Sequence, residues 1–302
     1  MILGVTASGK GKLGFELAKK LGGEIISIDS MKVYRRMDIG TAKPSAQNRS
    51  AIPHHLIDVV EPSESFSVSR FLEMTEAAVA EITSKNKPVI AVGGTAMYIK
   101  ALLHGLFEGP GTDEAIRNKL RASIEAQGSL ELHKELAKID PEAASRIHAN
   151  DAKRIIRALE VYKLTGKPIS SFQKQFDEPG NVHGWTIIGL RRDKADASHR
   201  INMRVKRMIE QGLVEEVKSL LGEAKPLSPQ AACAIGYAEI IDHLAGKIGL
   251  EEAIELIKKN SRQLAKAQRT WFKTFRSVNW IDVAPDDTAE AVLPKALEHF
   301  KI

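Results

Sequence analysis

The stretch Gly4-Val5-Thr6-Ala7-Ser8-Gly9-Lys10 decides the fold. It lies between the short apolar run Met1-Ile2-Leu3 and a helical pattern over 12–21. Strand, glycine-rich loop, lysine and helix, in that order, form the context of a Walker A phosphate loop. The glycines let backbone N–H groups converge on phosphate oxygens, Lys10 adds a positive charge, and the helix N-terminus adds its dipole. Outside that context the same residues make an ordinary surface loop. Two features depart from the motif. Gly11 stands where Ser or Thr offers magnesium a hydroxyl. A magnesium ion would then depend on substrate oxygens, water and other side chains. Only Met1-Ile2-Leu3 precede the loop, whereas a central strand usually runs about five or six residues. Either the strand is short or the true start lies upstream.

Working outward, Glu24-Ile25-Ile26-Ser27-Ile28-Asp29 reads as a buried β-branched strand and Lys87-Pro88-Val89-Ile90-Ala91-Val92 as another, closed by Gly93-Gly94. Helical spacing fills 66–84 between them, and 95–104 follows as a helix. Strands alternating with helices predict a doubly wound parallel sheet. From about residue 112 to 171 the strand signal stops. Helical stretches at 113–127, 130–139, 141–147 and 151–165 replace it, punctuated by Asp140-Pro141 and Gly166-Lys167-Pro168. Trp185 to Leu190 returns to a strand, helices follow at 195–211 and 250–275, and Val278 to Val283 is a last strand. The expected organisation is α/β: residues 1–111 and 185–302 form the core with C-terminal helices, and 112–184 form a helical insertion. The stretch from Phe176 to Gly184 is the expected linker.

Of the 302 residues, 43% are hydrophobic and 27% charged, which excludes disorder as the main character. Lys and Arg number 44 against 38 Asp and Glu, a formal charge of +6 that suits a polyanionic partner without proving one. The single cysteine, Cys233, allows no intrachain disulfide or cysteine zinc cluster and points to a reducing compartment. No apolar run approaches the roughly 18 residues of a membrane span, and the start lacks a signal-peptide pattern. The expectation is a cytoplasmic protein with no membrane partner.

Asp29 ends the second strand, and in open α/β sheets ligands bind beyond the carboxyl ends of the strands. Asp29 therefore falls in the crevice of the phosphate loop. An aspartate there also serves as a plain turn cap, and position alone does not separate the two roles. Taken together, Gly4–Lys10, Asp29–Tyr34, Asp38-Ile39-Gly40-Thr41-Ala42-Lys43-Pro44, Pro53-His54-His55, Val92–Thr95 with Tyr98, and Arg146–Asp151 resemble, in that order, the blocks of the tRNA dimethylallyltransferase family in its bacterial form. Arg154, Arg157–Val161, Ala234–Tyr237 and Thr270–Phe272 extend the resemblance over nearly the whole chain.

The resemblance implies a P-loop kinase-like α/β fold whose helical insertion binds a tRNA anticodon stem-loop. It implies transfer of a dimethylallyl group from dimethylallyl diphosphate to the exocyclic amine of the adenine just 3′ of the anticodon, in tRNAs reading codons that begin with U. Magnesium is the implied cofactor, with no metal site made of protein ligands alone, and a monomer is expected. Asp29, Thr95 and Lys10 carry catalysis in this reading. Gly4, Val5, Thr6, Ala7, Ser8, Gly9, Lys10 and Gly11 hold the diphosphate or a nucleotide. Asp29, Ser30, Met31, Lys32, Thr95, Arg117, Lys153, Arg154, Ile155, Ile156 and Arg157 contact the tRNA.

On the residues alone, Lys153, Arg154 and Arg157 share a helix face and are either phosphate contacts or a solvated basic surface. Arg117 alone is a surface charge. Arg200, Arg204, Lys206 and Arg207 form a second basic helix, and Lys258, Lys259, Arg262, Lys266, Arg269 and Lys273 a third. His54-His55 point in different directions and lack metal-ligand spacing. Met31, Met74, Met203, Met208, Trp271 and Phe272 are expected in the core. Besides Gly11, the chain departs from the family at Val5 (usually Pro), Lys32 (usually Gln), Ala267 (usually Arg) and Cys233 (usually polar). Those departures keep two alternatives in view: a catalytically weakened RNA-binding paralogue, and a P-loop small-molecule kinase.

Overall fold

A computed structural model describes residues 1–105, 109–172 and 184–300. The chain divides into two compact units, one of Met1–Leu103 with His183–Ile302 and the other of His104–Val182. The linker expected at 176–184 lies, except for Gly184, outside the described residues.

The first unit is built on six strands: β1 (Ile2–Gly4), β2 (Glu24–Ile28), β3 (His54–His55), β4 (Val89–Gly93), β5 (Ile187–Arg191) and β6 (Val278–Asp282). They form one sheet in the order β3-β2-β4-β1-β5-β6, and every pairing is parallel. The first crossovers run through α1 (Lys10–Leu21), α2 (Ala46–Ala51), α3 (Val68–Ser84) and α4 (Ala96–His104). Strand side chains alternate between faces. Leu3, Ile26, Ile28, Ala91 and Ile187 enter one core, and Ile2, Ile25, Ile90, Val92, Ile188 and Leu190 enter the other. Phe71 of α3 stacks on Tyr98 of α4 with ring centroids 4.0 Å apart. β1 is three residues long and lies between β4 and β5, so the loop after it opens at the centre of the sheet. At the end of β4 only a glycine fits: a Cβ on Gly93 would lie 2.0 Å from the Ile28 carbonyl oxygen. That close approach lets the Gly94 and Thr95 amides donate to the same oxygen at 3.2 and 3.4 Å.

The second unit is helical: α5 (Glu114–Gln127), α6 (Ser129–Ile139), α7 (Pro141–Arg146) and α8 (Ala152–Thr165). Asp113, Asp140 and Asp151 cap the N-termini of α5, α7 and α8 with their side chains, Pro141 opens α7, and Gly166 ends α8 in the left-handed conformation. Leu120, Leu132, Leu136, Ile155, Ile156 and Leu159 form its core. This corrects one expectation. Ile155 and Ile156, placed among the RNA-contacting residues, turn inward and pack rather than face a ligand.

The chain returns to the first unit through α9 (Lys194–Glu210), α10 (Leu213–Leu221), α11 (Pro229–Ala232), α12 (Tyr237–Leu244), α13 (Leu250–Phe272) and, after β6, α14 (Ala289–Leu297). α9 buries Ala197, Ile201, Val205 and Met208, a stripe at helical spacing. Among the described residues no helix is long and apolar enough to cross a membrane.

Candidate active site

Beyond the carboxyl ends of the strands lies a cavity of about 1390 Å³, lined by the loop after β1, the turn after β2, Gly94 and Thr95, and side chains of α9 and α13. The loop closes onto α1 with Gly9 at φ 97°, a backbone that suits glycine, and Ala7 at φ 62°. The Ser8 amide donates to the Val5 carbonyl at 3.1 Å. Three arginines hold the loop from outside. Arg192, buried just after β5, donates to the Ser8 carbonyl at 2.9 Å and to the Ala284 carbonyl at 2.6 Å. Arg200 donates to the Ala7 carbonyl at 3.1 Å, and Arg204 reaches the Thr6 hydroxyl at 3.5 Å and the Thr41 carbonyl at 3.4 Å. The Lys10 ammonium donates to the Val5 carbonyl at 3.2 Å. Burial brings Lys10 down to about 7, with repulsion from Lys32 and Arg204 adding and attraction from Asp29 opposing. Burial lowers Arg204 as well.

Asp29 and the loop line the same cavity. Oδ1 of Asp29 accepts the Met31 and Lys32 amides at 2.9 and 3.2 Å, so it does cap the turn. Oδ2 accepts no hydrogen bond among the described residues. One carboxylate thus serves both readings: one oxygen fixes the turn and the other is available to a substrate. Thr95 Oγ accepts the Ser30 amide at 3.1 Å and ties the end of β4 to the same turn.

Gln268 is the site residue that sequence reasoning passed over. Buried on α13, it accepts the Thr6 amide at 2.8 Å and donates through Nε2 to the Gly94 carbonyl at 2.8 Å. Its neighbour Ala267 lines the cavity. One expectation of core packing changes: Met203 is 39% exposed and lines the cavity, whereas Met208 and Phe272 are buried and Trp271 packs against the core while also bordering the cavity. Leu264, 41% exposed, adds to this apolar wall.

The described residues do not by themselves fit a divalent-metal site. Apart from its chain neighbours and its own helix backbone, no atom lies within 4 Å of the position a Cβ would take on Gly11, so that position offers space but no hydroxyl. The Ser8 hydroxyl is buried without a partner, 2.6 Å from where a Cβ on Gly4 would sit. Among the described residues no three His, Cys, Asp or Glu side chains are grouped to hold a metal. His54 pairs through Nδ1 with the Ile52 carbonyl at 2.7 Å, and His55 through Nε2 with Glu24 at 2.8 Å.

In the helical unit, the predicted cations divide. Arg117 donates to Glu160 at 2.9 and 3.1 Å, and Arg157 to Glu160 at 2.7 Å and to the Pro110 and Gly111 carbonyls at 2.8 and 3.1 Å. Burial pushes the Glu160 carboxyl up, but its hydrogen bonds from Arg157, the Asp113 amide and Arg117 hold it below the usual range. Arg157 therefore turns from the face it was expected to share, while Lys153 and Arg154 remain exposed.

A parallel α/β sheet with a P-loop at its centre and a carboxylate in the same cavity defines an enzyme of the diphosphate- or nucleotide-handling class. The family model described as IPP transferase matches residues 32–275. The tRNA dimethylallyltransferase of Geobacter metallireducens is 46% identical over 282 residues, 93% of this chain and 91% of that protein. The crystal structure of the full-length tRNA isopentenylpyrophosphate transferase of Bacillus halodurans is 41% identical, with a TM-score of 0.71, covering 99% of this chain and 95% of that one. A eukaryotic dimethylallyltransferase, captured in crystallographic snapshots acting on tRNA, is 29% identical with a TM-score of 0.78, covering 98% of this chain and 76% of that one. The chain belongs to the tRNA dimethylallyltransferase, or IPP transferase, family.

Proposed function

We propose that this protein transfers the dimethylallyl group of dimethylallyl diphosphate to the exocyclic amine of adenine 37 in tRNAs reading codons that begin with U. The observation that carries the reading is the free Oδ2 of Asp29 in one cavity with the phosphate loop and Lys10. The adenine amine is a weak nucleophile because its lone pair is delocalised into the ring. As the new C–N bond forms, Asp29 Oδ2 takes the amine proton. The allylic C–O bond breaks, and its electron pair leaves with pyrophosphate. The loop amides, Lys10 and Arg204 meet the charge that grows on the leaving oxygens. Met203, Leu264 and Trp271 give the five-carbon group an apolar wall that keeps water from it. The target base leaves its stack to enter.

Thr95 holds the turn that presents Asp29. Lys153 and Arg154 supply phosphate contacts to the anticodon stem-loop. Magnesium, when present, accompanies the diphosphate oxygens, since the protein offers no ligand set of its own. The test is incubation of the purified protein with radiolabelled dimethylallyl diphosphate and an anticodon stem-loop. Label in the RNA is expected. Steady ATP hydrolysis or phosphoryl transfer in place of prenyl transfer would show a kinase instead.

A further inference from the structure

Lys32 lines the cavity beside Lys10 and Arg204. It follows β2 in a turn fixed on both sides: its amide donates to Asp29 at 3.2 Å, and its carbonyl accepts the Asp58 amide at 3.2 Å. Its side chain lines the cavity, yet its ammonium has no hydrogen-bond acceptor among the described residues. Lys10 and Arg204 at least reach loop carbonyl or hydroxyl oxygens. Lys32 and Arg204 both repel Lys10, and Asp29 attracts it. Lys43, which also acts on Lys32, is already paired with Asp38 at 2.6 Å.

Lys10, Lys32 and Arg204 line one cavity with Asp29, whose charge acts on all three. Gathering like charges out of water is costly unless an anion joins them. A surplus of half-buried positive charge is matched to a ligand with more than one negative charge. Opposite this surplus stands a deficit. The loop position that gives a divalent cation its hydroxyl is Gly11, with open space around it.

We propose that Lys32 is a direct ligand of the diphosphate and supplies the neutralising charge that a hydroxyl-held divalent cation supplies in an ordinary phosphate loop, so that this protein grips a diphosphate without metal. The inference rests on the proposed reaction only for the identity of the diphosphate.

The probe is inorganic pyrophosphate, titrated by calorimetry into the full-length protein with EDTA and with magnesium. The wild type is expected to bind in EDTA within about threefold of its affinity in magnesium. Lys32→Gln should lose about tenfold or more in EDTA, and Lys32→Arg should recover most of that loss. Gly11→Thr, which has room for its side chain, should make magnesium strengthen binding by about tenfold. A wild type that binds pyrophosphate only with magnesium overturns the proposal, as does a folded Lys32→Gln that binds like the wild type. The comparison of wild type with Gly11→Thr holds even if Lys32→Gln fails to fold. Prenyl transfer is measured in parallel. Metal-free pyrophosphate binding without any transfer contradicts the proposed function and leaves this inference standing. Transfer with strictly magnesium-dependent binding does the reverse.

Discussion

Gln268 accepts the Thr6 amide hydrogen bond at 2.8 Å across 262 residues of sequence, and with its other end donates to the Gly94 carbonyl. One buried amide thus ties the phosphate loop to the end of β4, where Thr95 in turn anchors the Asp29 turn. The spacing between the phosphate loop and the Asp29 turn is set through this chain of contacts.

Gln268→Ala removes both bonds and leaves the Gly94 carbonyl unpaired at a buried position. Unpaired buried groups cost about 1–3 kcal/mol each. We expect a lower melting temperature and, in single-turnover assays, a slower transfer step together with weaker dimethylallyl diphosphate binding. Unchanged binding and rate would show that the loop holds its shape without α13.

Lys10 gives a pH prediction. Its folded value, about 7, lies below the ordinary lysine value of 10.5, so between these the unfolded chain binds more protons than the folded one. The ligand-free protein should therefore gain stability as pH rises from about 7 toward 10.5, and Lys10→Met should flatten that slope. Binding of a diphosphate restores the charged lysine. At pH 8 it should take up about one proton, read by calorimetry in buffers of different ionisation enthalpy. Binding with no proton uptake in the wild type would contradict this.

Much of this was legible in the sequence because its signals are local. Loop, lysine and helix adjoin one another at 4–21, and Asp29 and Gly93-Gly94 each close a β-branched run. β3 escaped because two residues show no periodicity. Gln268 escaped because its partners are remote in sequence. Arg204 was read only as part of a basic helix. The stripe Ala197, Ile201, Val205 and Met208 was the available signal, since it places Arg200 and Arg204 beside the buried face of α9 and Lys206 away from it. Arg117 and Arg157 look like free cations in sequence because Glu160, which takes both, reads as one more surface acid.

In the helical unit, stability and the proposed RNA contact can be tested at different residues. Glu160→Ala strands Arg117 and Arg157 beside an emptied buried site and should cost about 3–5 kcal/mol in denaturant unfolding. Lys153→Ala with Arg154→Ala should leave unfolding unchanged but weaken stem-loop binding and reduce its salt dependence by about one counterion per lost contact. Normal RNA affinity in the double variant would place the phosphate contacts elsewhere.

The central claim is that Asp29 Oδ2 takes the proton of the amine that attacks. The measurement is single-turnover transfer of radiolabel from dimethylallyl diphosphate to an anticodon stem-loop by wild type and Asp29→Asn, with pyrophosphate and stem-loop affinities measured alongside. The account predicts a fall in transfer rate of about 10²–10⁴-fold, with both affinities kept within about threefold. An Asp29→Asn protein that transfers at the wild-type rate would contradict it.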